Sequence, residues 1–354
     1  MNMQIFLNSL VVCLGLVYLL RGLACRFGLV DHPGGRKLHA HPTPTLGGVA
    51  MFLSVALTMY FEGYFFGNIK ILIACSALLV VLGMMDDRFN LPVSLRLMAQ
   101  VFFSLLVILG AGGMITHLGG IFGSGDIQLG LFAVPFSVIA LVGGINAMNM
   151  IDGADGMAGK MALITTIGTG FIFYVSGEFD ILPLTWAMIG ALVGFLIFNS
   201  RIFVRRAWVF MGDAGSMWLG LVLGWFMVHV TVGKAGAEPA IVLWLFGIPL
   251  IDTLCVIIRR LKRRVSPFSP DRTHIHHVFE HSGLSVRTTV LLLTLIQTAL
   301  VGIGVIFYLS QVPAALIFGS FVTLMLFYYY LIQRFHGTIP QPSDSSTMGI
   351  ETQI

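Results

Sequence analysis

Charge is what this sequence has least of. Asp, Glu, Lys and Arg make up 10% of its 354 residues while 57% are hydrophobic, a balance that excludes an ordinary soluble chain. Cysteine is scarce too: Cys13, Cys25, Cys75 and Cys255 stand far apart, mostly inside apolar runs. Neither a disulfide framework nor a zinc site is suggested by that spacing. No repeat of fixed period is apparent, which weighs against a transporter built from inverted halves. Residues 3–20 are apolar with no positive charge before them, and Arg21 and Arg26 follow. This order lacks the basic start of a secretory signal and predicts an uncleaved first span with its N-terminus outside.

What remains describes an all-α polytopic integral membrane protein. A span needs about 20 mostly apolar residues. Eleven stretches qualify, near 3–20, 46–66, 69–85, 94–111, 131–150, 157–175, 181–199, 216–232, 240–258, 288–309 and 313–333. Of the 20 Lys and Arg, only Lys70 and Lys234 fall on one side of the resulting topology. The positive-inside rule therefore places the other side, and the C-terminus, in the cytoplasm. The same charges explain a pI of about 9.0 as topology signals and contacts to lipid headgroups, without nucleic acid. A single membrane domain is expected over 1–335, followed by a flexible cytoplasmic tail over 336–354. The outer segments are poor in chemistry. Residues 112–130 hold only His117 and Asp126 and read as a connector with a small hairpin, while Glu62 and His229 read as interfacial.

Unusual polar chemistry collects in five cytoplasmic stretches. INAMNMIDGADGMAGK, Ile145 to Lys160, packs two amides, two carboxylates and several glycines between apolar runs. Its oxygens suit a hard cation, and its glycines let backbone approach a phosphate. Asp86 and Asp87 end an apolar span as an adjacent pair, whose mutual repulsion asks for a cation or a shared proton. VFMGDAGS, Val209 to Ser216, sets Asp213 among small residues before another span, a pattern equally suited to a helix cap or to a ligand. VDHPGGRKLHAHPTPTLGG, Val30 to Gly48, brings Arg36, Lys37 and three histidines, either as a stop-transfer loop or to capture an anionic headgroup. The last runs from RRLKRR into SPFSPDRTHIHHVFEHSG, ending at Gly283, where Arg272, His274, His276 and His277 form a cluster of donors able to surround a pyrophosphate. Zinc at HIHH is disfavoured, because no cysteine is near and the carboxylates elsewhere suit magnesium. Asp252, two turns before Arg259, reads first as a structural partner for a helix cation and second as a residue lining the site.

Acidic groups, amides and basic donors on one membrane face describe a magnesium and phosphate site open to cytosol and lipid together. The stretches NAMNMIDGADG, VFMGDAGS and SPFSPDRTHIHH resemble the polyprenyl-phosphate N-acetylhexosamine-1-phosphate transferase family, in particular its bacterial undecaprenyl-phosphate N-acetylglucosamine-1-phosphate branch. The resemblance spans about 30–283. It implies transfer from UDP-N-acetylglucosamine to undecaprenyl phosphate, giving undecaprenyl-diphospho-N-acetylglucosamine and UMP with Mg²⁺ or Mn²⁺. It also implies an enzyme of the bacterial inner membrane that initiates O-antigen or related surface polysaccharides, with homodimer formation left open. By resemblance Asn149 and Asp213 hold the metal, while Asp86 and Asp87 lie beside metal and acceptor as catalytic residues. Asp152, Asp155 and Phe210 face the nucleotide, and Arg272, His274, His276, His277 and Lys37 face phosphate and sugar.

Two rivals are weighed. The phospho-N-acetylmuramoyl-pentapeptide transferase of the same class normally carries three contiguous histidines, whereas Ile275 interrupts them here. A lipid or ion transporter would place ionisable groups near mid-membrane, not at the cytoplasmic ends.

Overall fold

The computed structural model describes residues 2–31, 42–266 and 274–336. Its helices in chain order are α1 (Asn2–Phe27), α2 (Gly47–Phe61), α3 (Gly67–Phe89), α4 (Val93–Gly110), α5 (Ala133–Ile151), α6 (Met157–Ser176) and α7 (Leu182–Asn199). There follow α8 (Gly212–Val232), α9 (Ile241–Leu245), α10 (Gly247–Lys262), α11 (Ile275–His281), α12 (Val286–Leu309) and α13 (Ala314–His336). Two short strands, β1 (Val30–Asp31) and β2 (Thr43–Pro44), pair antiparallel between α1 and α2. Lys37, Arg272 and the tail over 337–354 lie outside the described residues.

Nine helices among the described residues are long and apolar enough to cross a membrane: α1, α3 to α8, α12 and α13. The other two expected spans take different forms. The stretch 46–66 is helical only over the 15 residues of α2, and 240–258 is broken into α9 and α10 at Phe246. Gly247 and Pro249 explain the break, since glycine favours a helix end and proline cannot donate to the preceding turn. The freed backbone groups find a side-chain partner. Gln297 of α12, fully buried, accepts from Ile248 N at 2.9 Å and donates to Leu245 O at 3.1 Å, while Thr165 also donates to Leu245 O at 3.0 Å. Gln297→Leu should therefore destabilise the protein by about 1–3 kcal/mol, the penalty of stranding buried backbone groups. A detergent thermal melt with the midpoint unchanged would refute this.

α8 is the central helix. Within an 18-residue stretch 83% of its residues are buried, against 22% in α1 and 17% in α13. It is also less apolar than α3 and α5, which pack on it, with mean hydropathy 1.5 against 2.1 and 2.0, because close helix packing in a membrane favours small residues over large ones. A Cβ added at Gly48 of α2 would run into Gly215 of α8, one at Gly83 of α3 into Ala214, and one at Gly220 of α8 into Ile145 of α5. Three helices thus approach α8 backbone to backbone. The polar C-terminal turns of α3 and α5 are carried in this way to the N-terminus of α8.

On the opposite end the chain forms the small hairpin expected after His117. Leu118 N donates to Ile127 O at 2.9 Å and Leu129 N to Thr116 O at 2.8 Å. Glu62 is half-buried and accepts from Asn8 at 2.5 Å. His229 is half-buried against Trp225, ring centroids 3.8 Å apart.

Candidate active site

Asp86 and Asp87 occupy the last turn of α3 and diverge. Asn90 caps that helix in the left-handed region, φ 49°, a conformation Asn tolerates well. The turn it makes folds Leu91 N back onto Asp86 Oδ1 at 2.8 Å, and Arg96, one turn into α4, donates to Oδ2 at 2.7 Å. Both Asp86 oxygens are thus engaged, and the side chain is 3% exposed. Asp87 instead reaches the start of α8, where Oδ1 accepts from Asp213 N at 3.0 Å. The positive end of α8 favours a carboxylate there. Gly212 has to be glycine twice over: its φ is +72°, and a Cβ would lie 2.5 Å from Asp87 Oδ2.

Asn149, in the last turn of α5, completes the group. Its Nδ2 donates to Asp213 Oδ1 at 2.6 Å and to Ser216 Oγ at 2.9 Å. Asn146, one turn earlier, donates to Gln100 Oε1 at 2.7 Å. Asp213 and Asp86 are close enough to interact electrostatically. Asp86, Asp87, Asn149 and Asp213, brought in from three separate helices, therefore share one place, with Arg96 as the cation bonded to Asp86.

The DGADG turn after α5 divides its two acids. Asp152 caps α5 and is pushed up to about 7 by burial, with Asp213 and Asp155 near it adding repulsion. Its folded state binds the proton more tightly than the unfolded chain. The protein therefore loses stability as pH rises from about 4 to about 7 through this group. Asp152→Asn should flatten that decline in thermal midpoints measured from about pH 4 to about pH 8 without added metal. Asp155 turns to Arg201 in the loop before α8, Oδ2 to Nε at 2.7 Å. Phe210, half-buried, is fixed through its backbone: its N donates to Pro44 O at 2.7 Å and its O accepts from Gly47 N at 3.0 Å. The first loop and the VFMGD segment are thereby bound together.

The histidines close over the same turn. His276 is 1% exposed, neither ring nitrogen has a hydrogen-bond partner among the described residues, and its ring fills the space a Cβ on Gly153 would need. Burial and the neighbouring His277 and His274 hold its pKa down to about 3. It meets a ligand as a neutral imidazole, a donor or acceptor without charge. His274 and His276 are stacked with centroids 5.9 Å apart, and His276 and His277 lie at 4.1 Å. Asp252 does not pair with a cation of its own helix, as its spacing suggests. It accepts from His274 Nδ1 at 2.8 Å, Ile275 N at 3.2 Å and Tyr328 Oη of α13 at 2.6 Å. The reason is steric and electrostatic together: the buried carboxylate needs several donors, and α10, α11 and α13 meet around it.

Arg96, Asn149 and the histidines open onto a cavity of about 520 Å³ between α4, α5 and α10. Arg96, Asn149, Arg260 and the three histidines line its polar part, while Leu97, Val101 and Ile139 line an apolar part. Val101 and Ile139 are 44% and 69% exposed on the outer surface of the bundle. By sequence Arg96 and Arg201 read as topology signals alone. The clue to Arg96 is positional, since the short break after Phe89, at Asn90, returns α4 beside α3. The contacts of Ser216 and Tyr328 have no local signal.

Among the described residues no group of three or more His, Cys, Asp or Glu side chains is placed to hold a metal ion by itself. The oxygen-only carboxylate group nevertheless fits a hard divalent cation, which binds through one or two carboxylates and shares the rest of its shell with phosphates and water.

The chain belongs to glycosyl transferase family 4, whose profile matches residues 69–231. That interval includes Asp86, Asp87, Asn149, Asp152, Asp155 and Asp213. Over 320 residues it is 34% identical to an undecaprenyl-phosphate alpha-N-acetylglucosaminyl 1-phosphate transferase of Escherichia coli O157:H7, covering 90% of this chain and 87% of that protein. The protein of the same name from Haemophilus influenzae is 34% identical over 333 residues, 93% of each chain.

Proposed function

We propose that this multi-pass membrane protein transfers N-acetylglucosamine 1-phosphate from UDP-N-acetylglucosamine to undecaprenyl phosphate. The products are undecaprenyl-diphospho-N-acetylglucosamine and UMP, and the lipid product begins O-antigen or a related surface polysaccharide. The single observation that carries the reading is the cavity: its apolar part opens on the outer surface of the bundle, and its polar part ends on Arg96 and Asn149, which bond the carboxylates of Asp86 and Asp213. A lipid phosphate needs both at once. The basic residues at this end orient the site toward the cytoplasm of a bacterial inner membrane.

The chemistry follows from charge. The acceptor monoester has a second pKa of about 6 and is already mostly dianionic at neutral pH, so a strong general base is unnecessary. One acceptor oxygen attacks the β-phosphorus of the donor, the bond from that phosphorus to the bridging oxygen breaks, and UMP leaves with the electron pair. Arg96, held by Asp86, meets the acceptor phosphate at the cavity wall. Because both Asp86 oxygens are occupied, Asp86 positions Arg96 rather than taking a proton. Asp87 and Asp213, with Asn149 orienting Asp213, would hold Mg²⁺ or Mn²⁺, which supplies neutralisation of diphosphate charge. His276 and His277 bind from the opposite wall, and Asp152 and Asp155 border the nucleoside.

The test is an assay of purified protein with undecaprenyl phosphate and a panel of UDP-sugars, scored for UMP and lipid product. UDP-N-acetylglucosamine should be the preferred donor. Turnover only with the UDP-muramoyl-pentapeptide donor, or no UMP with any sugar, would overturn the reading. Accumulation of phosphorylated enzyme with donor alone would replace direct attack by double displacement.

A further inference from the structure

A second cavity, of about 260 Å³, lies at the N-terminal ends of α6 and α12. Lys160, Arg201 and Arg287 line it together with Asp155, and Ile202 and Leu291 form part of its wall. The anions nearby do not balance these cations. Asp155 bonds Arg201 at 2.7 Å, and Glu280 also interacts with Arg201. Lys160 and Arg287 have no anionic partner among the described residues. Ile202 and Leu291 are 63% and 51% exposed, and Leu295, one turn further along α12, is 58% exposed. A basic hollow thus continues directly into an apolar stripe on a membrane-crossing helix.

We infer that this cavity binds the phosphate of an anionic phospholipid, with Lys160 and Arg287 on the headgroup and an acyl chain along Leu291 and Leu295. The apolar continuation favours a lipid over a soluble phosphate, because only a lipid occupies both parts. Occupancy has a consequence for the main site. A lipid phosphate beside Arg201 competes with Asp155 for that guanidinium and loosens the DGADG turn that borders the nucleoside. This consequence rests on the transferase reading; the binding itself does not.

The full-length protein, in nanodiscs of phosphatidylcholine containing a minor fraction of dioleoyl phosphatidylglycerol, is released for native mass spectrometry without either substrate. Wild type should retain phosphatidylglycerol in preference to phosphatidylcholine. Arg287→Gln, an exposed change, should weaken that retention about fivefold, and Arg287→Lys should restore it. Equal retention of both lipids, or no difference between wild type and Arg287→Gln, overturns the inference. Displacement of the lipid by UMP or inorganic phosphate also overturns it, since the cavity would then belong to the donor site. Failure of the transferase reading appears separately, as absent UMP release in every lipid mixture. Where activity is present, phosphatidylglycerol should change the donor KM of wild type and leave that of Arg287→Gln unmoved.

Discussion

Asp213→Asn lowers turnover by about 100- to 1,000-fold, the range for removing one electrostatic contact from the transition state of a preorganised site. The substitution is nearly isosteric, and the N-terminus of α8 keeps its backbone contact from Asp213 N to Asp87 Oδ1 at 3.0 Å. What changes is charge and hydrogen bonding. Asn149 Nδ2 donates to Asp213 Oδ1 at 2.6 Å; opposite an amide that contact survives only if the new side chain turns its oxygen that way. One negative charge is also removed from the group that would hold the cation. The measurement is UMP release across a Mg²⁺ titration, with circular dichroism and a thermal midpoint to show that the fold persists. Near-normal turnover at every Mg²⁺ concentration would remove Asp213 from the site. Asp155→Asn provides the contrast, because Asp155 bonds Arg201 at 2.7 Å in the loop before α8; its effect should fall on donor KM more than on kcat.

The sequence made the membrane class legible because apolar length and the one-sided Lys and Arg distribution are properties of single segments. The break at Phe246 was harder. The run 240–258 looks continuous by hydropathy, and only the pairing of Gly247 and Pro249 with a buried Gln297 shows how a discontinuous helix is tolerated there. In the site, residue types were visible while their partners were not. Asp86 and Asp87 read as one repelling pair, yet adjacent positions on a helix end point apart. One meets Arg96 and the other meets α8. Asp152 and Asp155 read as two nucleotide-facing acids, and three positions of a glycine-rich turn were enough to send Asp155 to Arg201. Contacts such as Tyr328 to Asp252, 76 residues apart, depend on how α10 and α13 pack and leave no mark in either segment alone.

That last contact leads to the second large effect. Asp252→Asn should lower kcat/KM by about 10- to 100-fold, the range for losing a carboxylate that orients a functional imidazole. Asp252 Oδ2 fixes His274 by accepting from Nδ1 at 2.8 Å, which leaves Nε2 as the ring nitrogen free to act on a ligand in the 520 Å³ cavity that His274 lines. An amide in place of the carboxylate can present an N–H to Nδ1, and the imidazole then carries its proton on the other nitrogen. The ring remains while its donor and acceptor ends exchange. A purely structural role would produce a different pattern, and Tyr328→Phe separates the two. That variant removes the 2.6 Å bond from the same buried carboxylate but keeps the Asp252 to His274 contact, so its kcat/KM should fall less than about threefold while its thermal midpoint drops about as far as that of Asp252→Asn. Equal kinetic losses in the two variants would mean that the network serves stability alone. A kinetic loss confined to Asp252→Asn makes the dyad a positioning device for His274 at the cavity wall.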